Sequence, residues 1–101
     1  REKDGMKIRV RLSSLLRHFS NLDGQPETME MSVSDQVNPA EFLQSLADRI
    51  PPLKKWLYDK EGTLRPVIFV FVNGEKLLSG DFSEPLQDGD EVFVVFSFAG
   101  G

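Results

Sequence analysis

Apolar and polar residues alternate strictly along Lys7-Ile8-Arg9-Val10-Arg11-Leu12. That period predicts a half-buried strand with Ile8, Val10 and Leu12 facing a core and Lys7, Arg9 and Arg11 facing water. Glu27 to Val33 alternates in the same way, so the two segments predict a wide hairpin. Between them, Ser13 to Phe19 predicts a helical turn capped by serine, and Asn21-Leu22-Asp23-Gly24 supplies turn chemistry.

The period then changes. Asn38-Pro39-Ala40-Glu41 is a helix start, with Asn38 as N-cap, Pro39 at the first helical position and Glu41 three residues after the cap. Phe42, Leu43, Leu46, Ala47 and Ile50 follow at helical spacing, a stripe that reads as core packing rather than a cofactor box. Pro51-Pro52 predicts the end of this helix, and Leu53, Trp56 and Leu57 a further short turn before the break from Asp59 to Gly62. Val67 to Val72 is β-branched or aromatic throughout and is bounded by Asn73-Gly74, a strong hairpin signal. Glu75 to Leu78 predicts the returning strand. A loop with Gly80, Pro85 and an anchor at Leu86 follows, and Asp88-Gly89-Asp90-Glu91 turns the chain into a last apolar strand beginning at Val92.

The order strand, strand, helix, strand, short strand, strand predicts an α+β layer pair, one main helix covering one face of a mixed sheet of four to five strands. Residues 6–101 read as a single domain with a flexible tail at 97–101. Residues 1–5 are polar and are set apart as a disordered extension, natural or left over from cloning. If Ile68, Val70 and Val72 pack under the helix, the pleat sends Phe69 and Phe71 to the opposite face, beside Phe93 and Val95 on the last strand. The outer face then presents an apolar patch flanked by Arg9 and Arg11. Patches of that kind mark partner sites, and Phe98 is grouped with this one as a partner-contacting residue.

Composition narrows the function classes. The chain has 101 residues, 40% hydrophobic and 28% charged, which is ordinary for a water-soluble domain. A net charge of −4 leaves no electrostatic footprint for nucleic acid and favours partners with basic docking surfaces. The absence of cysteine excludes a disulfide scaffold, a thiolate nucleophile and a cysteine-based zinc site. Any sulfur carried by this chain must therefore sit on a carboxyl group. His18 lacks the ligand cluster of a metal site, and Asp88, Asp90 and Glu91 lie too close together for a calcium loop. These acids are turn formers, with Gly89 relieving a positive φ, and no metal is expected. Lys54, Lys55 and Lys60 read as solvated charges. No apolar run approaches a membrane span and no signal peptide is visible, so the expected location is the cytoplasm.

The remaining chemistry is at the end. Two successive residues without Cβ, Gly100 and Gly101, make a thin and permissive backbone that can enter a slot too narrow for ordinary side chains. At about 3.3 Å per residue, the steps from Phe96 to Gly101 reach roughly 17 Å. Such a tail suits a carboxylate handed into a partner enzyme; the alternative is an ordinary frayed terminus.

Taken together, Val72-Asn73-Gly74-Glu75, Pro85-Leu86-Gln87-Asp88-Gly89-Asp90-Glu91-Val92 and Ala99-Gly100-Gly101 resemble the MoaD/ThiS family of ubiquitin-like sulfur carriers. The resemblance extends from Lys7 to Gly101 and implies the β-grasp fold. It also implies that the Gly101 carboxylate, with Gly100 as its slender neighbour, is adenylated by a ubiquitin-activating-type enzyme and becomes a thiocarboxylate. ATP is then used by that partner, and no cofactor is bound by this chain. The sulfur would pass to an accepting enzyme or to the large subunit of molybdopterin synthase, with this chain as carrier or small subunit rather than a stand-alone catalyst. Alternatively, the activated carboxylate would join lysines of target proteins. The family pattern often has proline just before the tail, where this chain has Phe96-Ser97-Phe98. The segment from Pro51 to Arg65 is longer than in thiamine-pathway members. That length points to the molybdopterin-synthase small subunit, the CysO-like carriers or the small archaeal modifiers.

Overall fold

The structure, a computed structural model, describes residues 5–97. The expectations attached to residues 1–4 and to Phe98, Gly100 and Gly101 lie outside the described residues.

Five strands form one mixed sheet: β1 (Met6–Leu12), β2 (Thr28–Val33), β3 (Ile68–Val72), β4 (Glu75–Lys76) and β5 (Glu91–Phe96), in the spatial order β2-β1-β5-β3-β4. The β1–β2 and β3–β4 pairs are antiparallel hairpins, and β5 lies between them, parallel to β1 and antiparallel to β3. This is the β-grasp architecture that the resemblance implies, with five strands.

Among the described residues, three α-helices accompany the sheet: α1 (Ser14–Phe19), α2 (Pro39–Arg49) and α3 (Pro51–Leu57). α2 begins as its sequence predicts. Asn38 Oδ1 accepts the Glu41 N–H at 2.8 Å, and Glu41 Oε1 accepts the Asn38 N–H at 3.1 Å, which satisfies two helix-end donors reciprocally. Its buried stripe of Phe42, Leu43, Leu46 and Ala47 packs with Ile8, Val10, Val70, Val92 and Val94 in one core. Each of these side chains other than Ala47, taken fully from water, contributes roughly 1.5–3 kcal/mol.

Two expectations need correction. Pro51-Pro52 does end α2, but the same prolines open α3, because a missing N–H costs nothing in a first turn. The predicted short turn is thus a seven-residue helix that buries Leu53 and Leu57 completely. The returning strand spans Glu75–Lys76 rather than Glu75 to Leu78. Leu77 still donates to Val70 O at 2.8 Å, but the Leu78 N–H turns to the Asp81 carboxylate at 2.9 Å, opening a 3₁₀ helix at Ser79–Ser83. That turn leaves the Leu78 side chain 67% exposed.

Candidate functional site

The pleat of β3 and β5 divides their side chains between two faces. Ile68, Val70, Val92 and Val94 are buried under the helices, while Phe69, Phe71, Phe93 and Val95 point to the opposite face and are half-buried. Register places Phe71 opposite Phe93 and Phe69 opposite Val95. The Phe71 and Phe93 ring centroids lie 6.2 Å apart. The four side chains predicted to share an outer face therefore do so.

Cations cover part of this patch. The Arg11 guanidinium lies 4.1 Å from the centroid of Phe93, and Lys76 Nζ lies 4.1 Å from that of Phe69, both within cation–π range. Arg11 also reaches Glu91 Oε1 at 4.0 Å. Arg9 is one step further along, in register with Glu30 on one side and Glu91 on the other. Sequence reasoning found Arg9 and Arg11 but missed Lys76. Its proximity depends on β4 bringing it opposite Phe71, which the Asn73-Gly74 turn alone encodes.

The outer face thus carries Lys7, Arg9, Arg11 and Lys76 against Glu30 and Glu91. It is the basic side of a chain whose net charge is −4. The whole-chain charge favours basic partners, but the local charge of this face favours an acidic one, and at short range the local field decides.

At the far end of β5, backbone and rings anchor the root of the terminal segment. The Phe96 N–H donates to Ser13 Oγ at 3.2 Å, and the Ser97 N–H to Val67 O at 2.7 Å. Phe19 and Trp56 stack with centroids 4.0 Å apart, and the Phe96 ring meets both edge-on. This grouping was not foreseen, since its members come from α1, α3 and β5.

The remaining sequence candidates are structural. Asp88 Oδ1 accepts the Lys7 N–H at 2.8 Å, Asp90 binds Asn73 and Gln87, and Gly89 has φ +88. His18 is exposed and contacts Asp23 at 3.0 Å. Among the described residues, no group of three or more His, Asp or Glu is placed to hold a metal ion. No helix there is long and apolar enough to cross a membrane.

No family model matches the chain, and no curated protein matches it by sequence. Solved structures do match. The Haloferax volcanii HVO 2177 protein is 25% identical with a TM-score of 0.80, the match covering 100% of this chain and 92% of that one. The small archaeal modifier protein 1 of H. volcanii is 22% identical with a TM-score of 0.79, covering 92% of this chain and 99% of its own. The third, solved in the BexX/CysO complex of Amycolatopsis orientalis, is 24% identical with a TM-score of 0.69, covering 93% and 99%. The fold is thereby defined as the β-grasp, ubiquitin-like one. Its structural neighbours include a small archaeal modifier protein and CysO, two of the groups to which the sequence motifs pointed.

Proposed function

We propose that this chain is a ubiquitin-like sulfur carrier that reacts through the carboxylate of Gly101. In this reading an ATP-dependent, ubiquitin-activating-type enzyme docks on Phe69, Phe71, Phe93 and Val95, with its own carboxylates facing Arg9, Arg11 and Lys76. Phe98 makes contacts nearer the terminus, and Gly100 lets the backbone enter the partner's slot. A Gly101 carboxylate oxygen attacks the α-phosphorus of ATP, and pyrophosphate leaves. A hydrosulfide ion from the sulfur donor then attacks the acyl carbon of the adenylate, and the acyl–phosphate bond breaks as AMP leaves. The product thiocarboxylate donates sulfur to an accepting enzyme, in molybdopterin or related biosynthesis. All general acid–base work falls to the partners, so the chain is a co-substrate.

The observation that supports this most is the position of β5. It is the central strand, it supplies two of the four residues of the apolar patch, and in sequence it leads to the two glycines, so docking and delivery would share one element. The likeness to a small archaeal modifier supports a second outcome from the same adenylate, an isopeptide bond to a target-protein lysine.

The test is to incubate the chain with ATP, the adenylating enzyme and a sulfur donor, and to weigh the product. An oxygen-to-sulfur mass increase is expected. Lysine conjugates without that increase would select the modifier. Full adenylation of a chain extended by one residue after Gly101 would refute both.

A further inference from the structure

The aromatic group at the end of β5 has no place in the chemistry just described, yet it sits where the reactive segment begins. Phe96 is the last residue of β5 and continues the inward alternation of Val92 and Val94. Its ring is received by Phe19, the last residue of α1, at 5.6 Å and 86°, and by Trp56 of α3 at 6.2 Å and 78°. Phe19 and Trp56 are themselves stacked at 4.0 Å with an interplanar angle of 18°. The three rings thus form a socket with two walls and one occupant.

Two further observations point to positioning. Helices of six and seven residues are marginal by themselves, so α1 and α3 depend on tertiary contacts such as this stack. Trp56 Nε1 is buried with no acceptor among the described residues, and the indole lies flat against Phe19. Beside the socket, Ser13 and Val67 accept the last two backbone donors among the described residues, at Phe96 and Ser97. Ring and backbone are therefore gripped at one place, immediately before Phe98.

We infer that the Phe19–Trp56 stack is a positioning clamp on Phe96, fixing the place and direction of the end of β5, which the C-terminal residues follow in sequence. Trp56 and Phe19 are positioning residues and do not touch the reacting atoms. The inference rests on the carrier reading for its consequence, but not for its geometry.

The test compares Trp56→Leu and Phe19→Leu with the conservative Trp56→Phe. Amide hydrogen exchange should speed up by about tenfold or more at Phe96 and Ser97 in the leucine variants, and remain unchanged at Val94. With an ATP-dependent adenylating enzyme of the ubiquitin-activating type, read as pyrophosphate release, KM for the chain should rise about fivefold while kcat holds. Trp56→Phe should behave as the unaltered chain. Unchanged exchange at Phe96 and Ser97, equal acceleration at Val94, or an unchanged KM despite loosened amides would each overturn the clamp. If the unaltered chain is not adenylated at all, the carrier reading fails, and the exchange pattern alone decides the clamp.

Discussion

Asn73 and Asp90, seventeen residues apart, are joined by a hydrogen bond of 2.9 Å from Asn73 Nδ2 to Asp90 Oδ1. Asn73 Oδ1 accepts the Glu91 N–H at 3.0 Å, Asp90 Oδ2 accepts the Gln87 N–H at 2.8 Å, and the Asp90 carbonyl accepts the Arg9 N–H at 2.9 Å. The two turn motifs that carried the family resemblance are thus halves of one joint, which locks β1, β3 and β5 at the same end of the sheet. Replacing Asp90 or Asn73 by alanine should each lower stability by about 1–3 kcal/mol in denaturant unfolding. Because both losses include the same bond, the double variant should lose less than the sum, by about 0.5 kcal/mol or more.

Phe71→Asp and Phe93→Asp should weaken binding to the adenylating partner while leaving a cooperative melt. Val94→Asp should not fold, because Val94 is fully buried and a carboxylate there has no partner. Calorimetric binding alongside thermal melts checks this. Collapse of the Phe93→Asp melt to the level of Val94→Asp would place that ring in the core.

Leu53 is fully buried on the inner side of α3. Truncation to alanine should cost about 2–5 kcal/mol, the usual range for a buried leucine whose cavity does not collapse. Chemical denaturation measures it.

Burial, and next the charge of Asp48, push the Tyr58 hydroxyl above its ordinary value of 10.0. The folded form therefore holds the phenolic proton more tightly than the unfolded chain does. The corresponding stability is fully present below the unfolded value and is lost as pH rises through the raised one. Unfolding free energy should be flat in this respect at neutral pH and decline above about pH 10, and Tyr58→Phe should remove that component of the decline. Phenolate absorbance reports the group directly, as Tyr58 is the sole tyrosine.

Much of the scaffold was legible because single-element signals act locally. The alternation of Lys7 to Leu12, the Asn38–Glu41 capping box and the Asn73-Gly74 turn each set their own backbone, and the pleat then assigned Phe69, Phe71, Phe93 and Val95 to one face. The misreadings arose where one signal has two outcomes. Proline ends one helix as readily as it begins another, so Pro51-Pro52 concealed α3. Leu77 and Leu78 are apolar enough for a strand, but the Asp81 carboxylate competes for the Leu78 N–H and wins. The Phe19–Trp56–Phe96 group and the ammonium of Lys76 over Phe69 were invisible for another reason. They exist only after distant elements have docked, and no periodicity records that.

The strand at the middle of the sheet is also the last of the five to be synthesised. While the ribosome still encloses Glu91 to Phe96, the β1–β2 and β3–β4 hairpins lack the partner that both require, and Val92 and Val94 are missing from the nascent interior. Vectorial translation alone therefore delays completion of the sheet until Glu91 to Phe96 have emerged from the exit tunnel, and chains aborted upstream of Glu91 would lack the strand that joins the two hairpins.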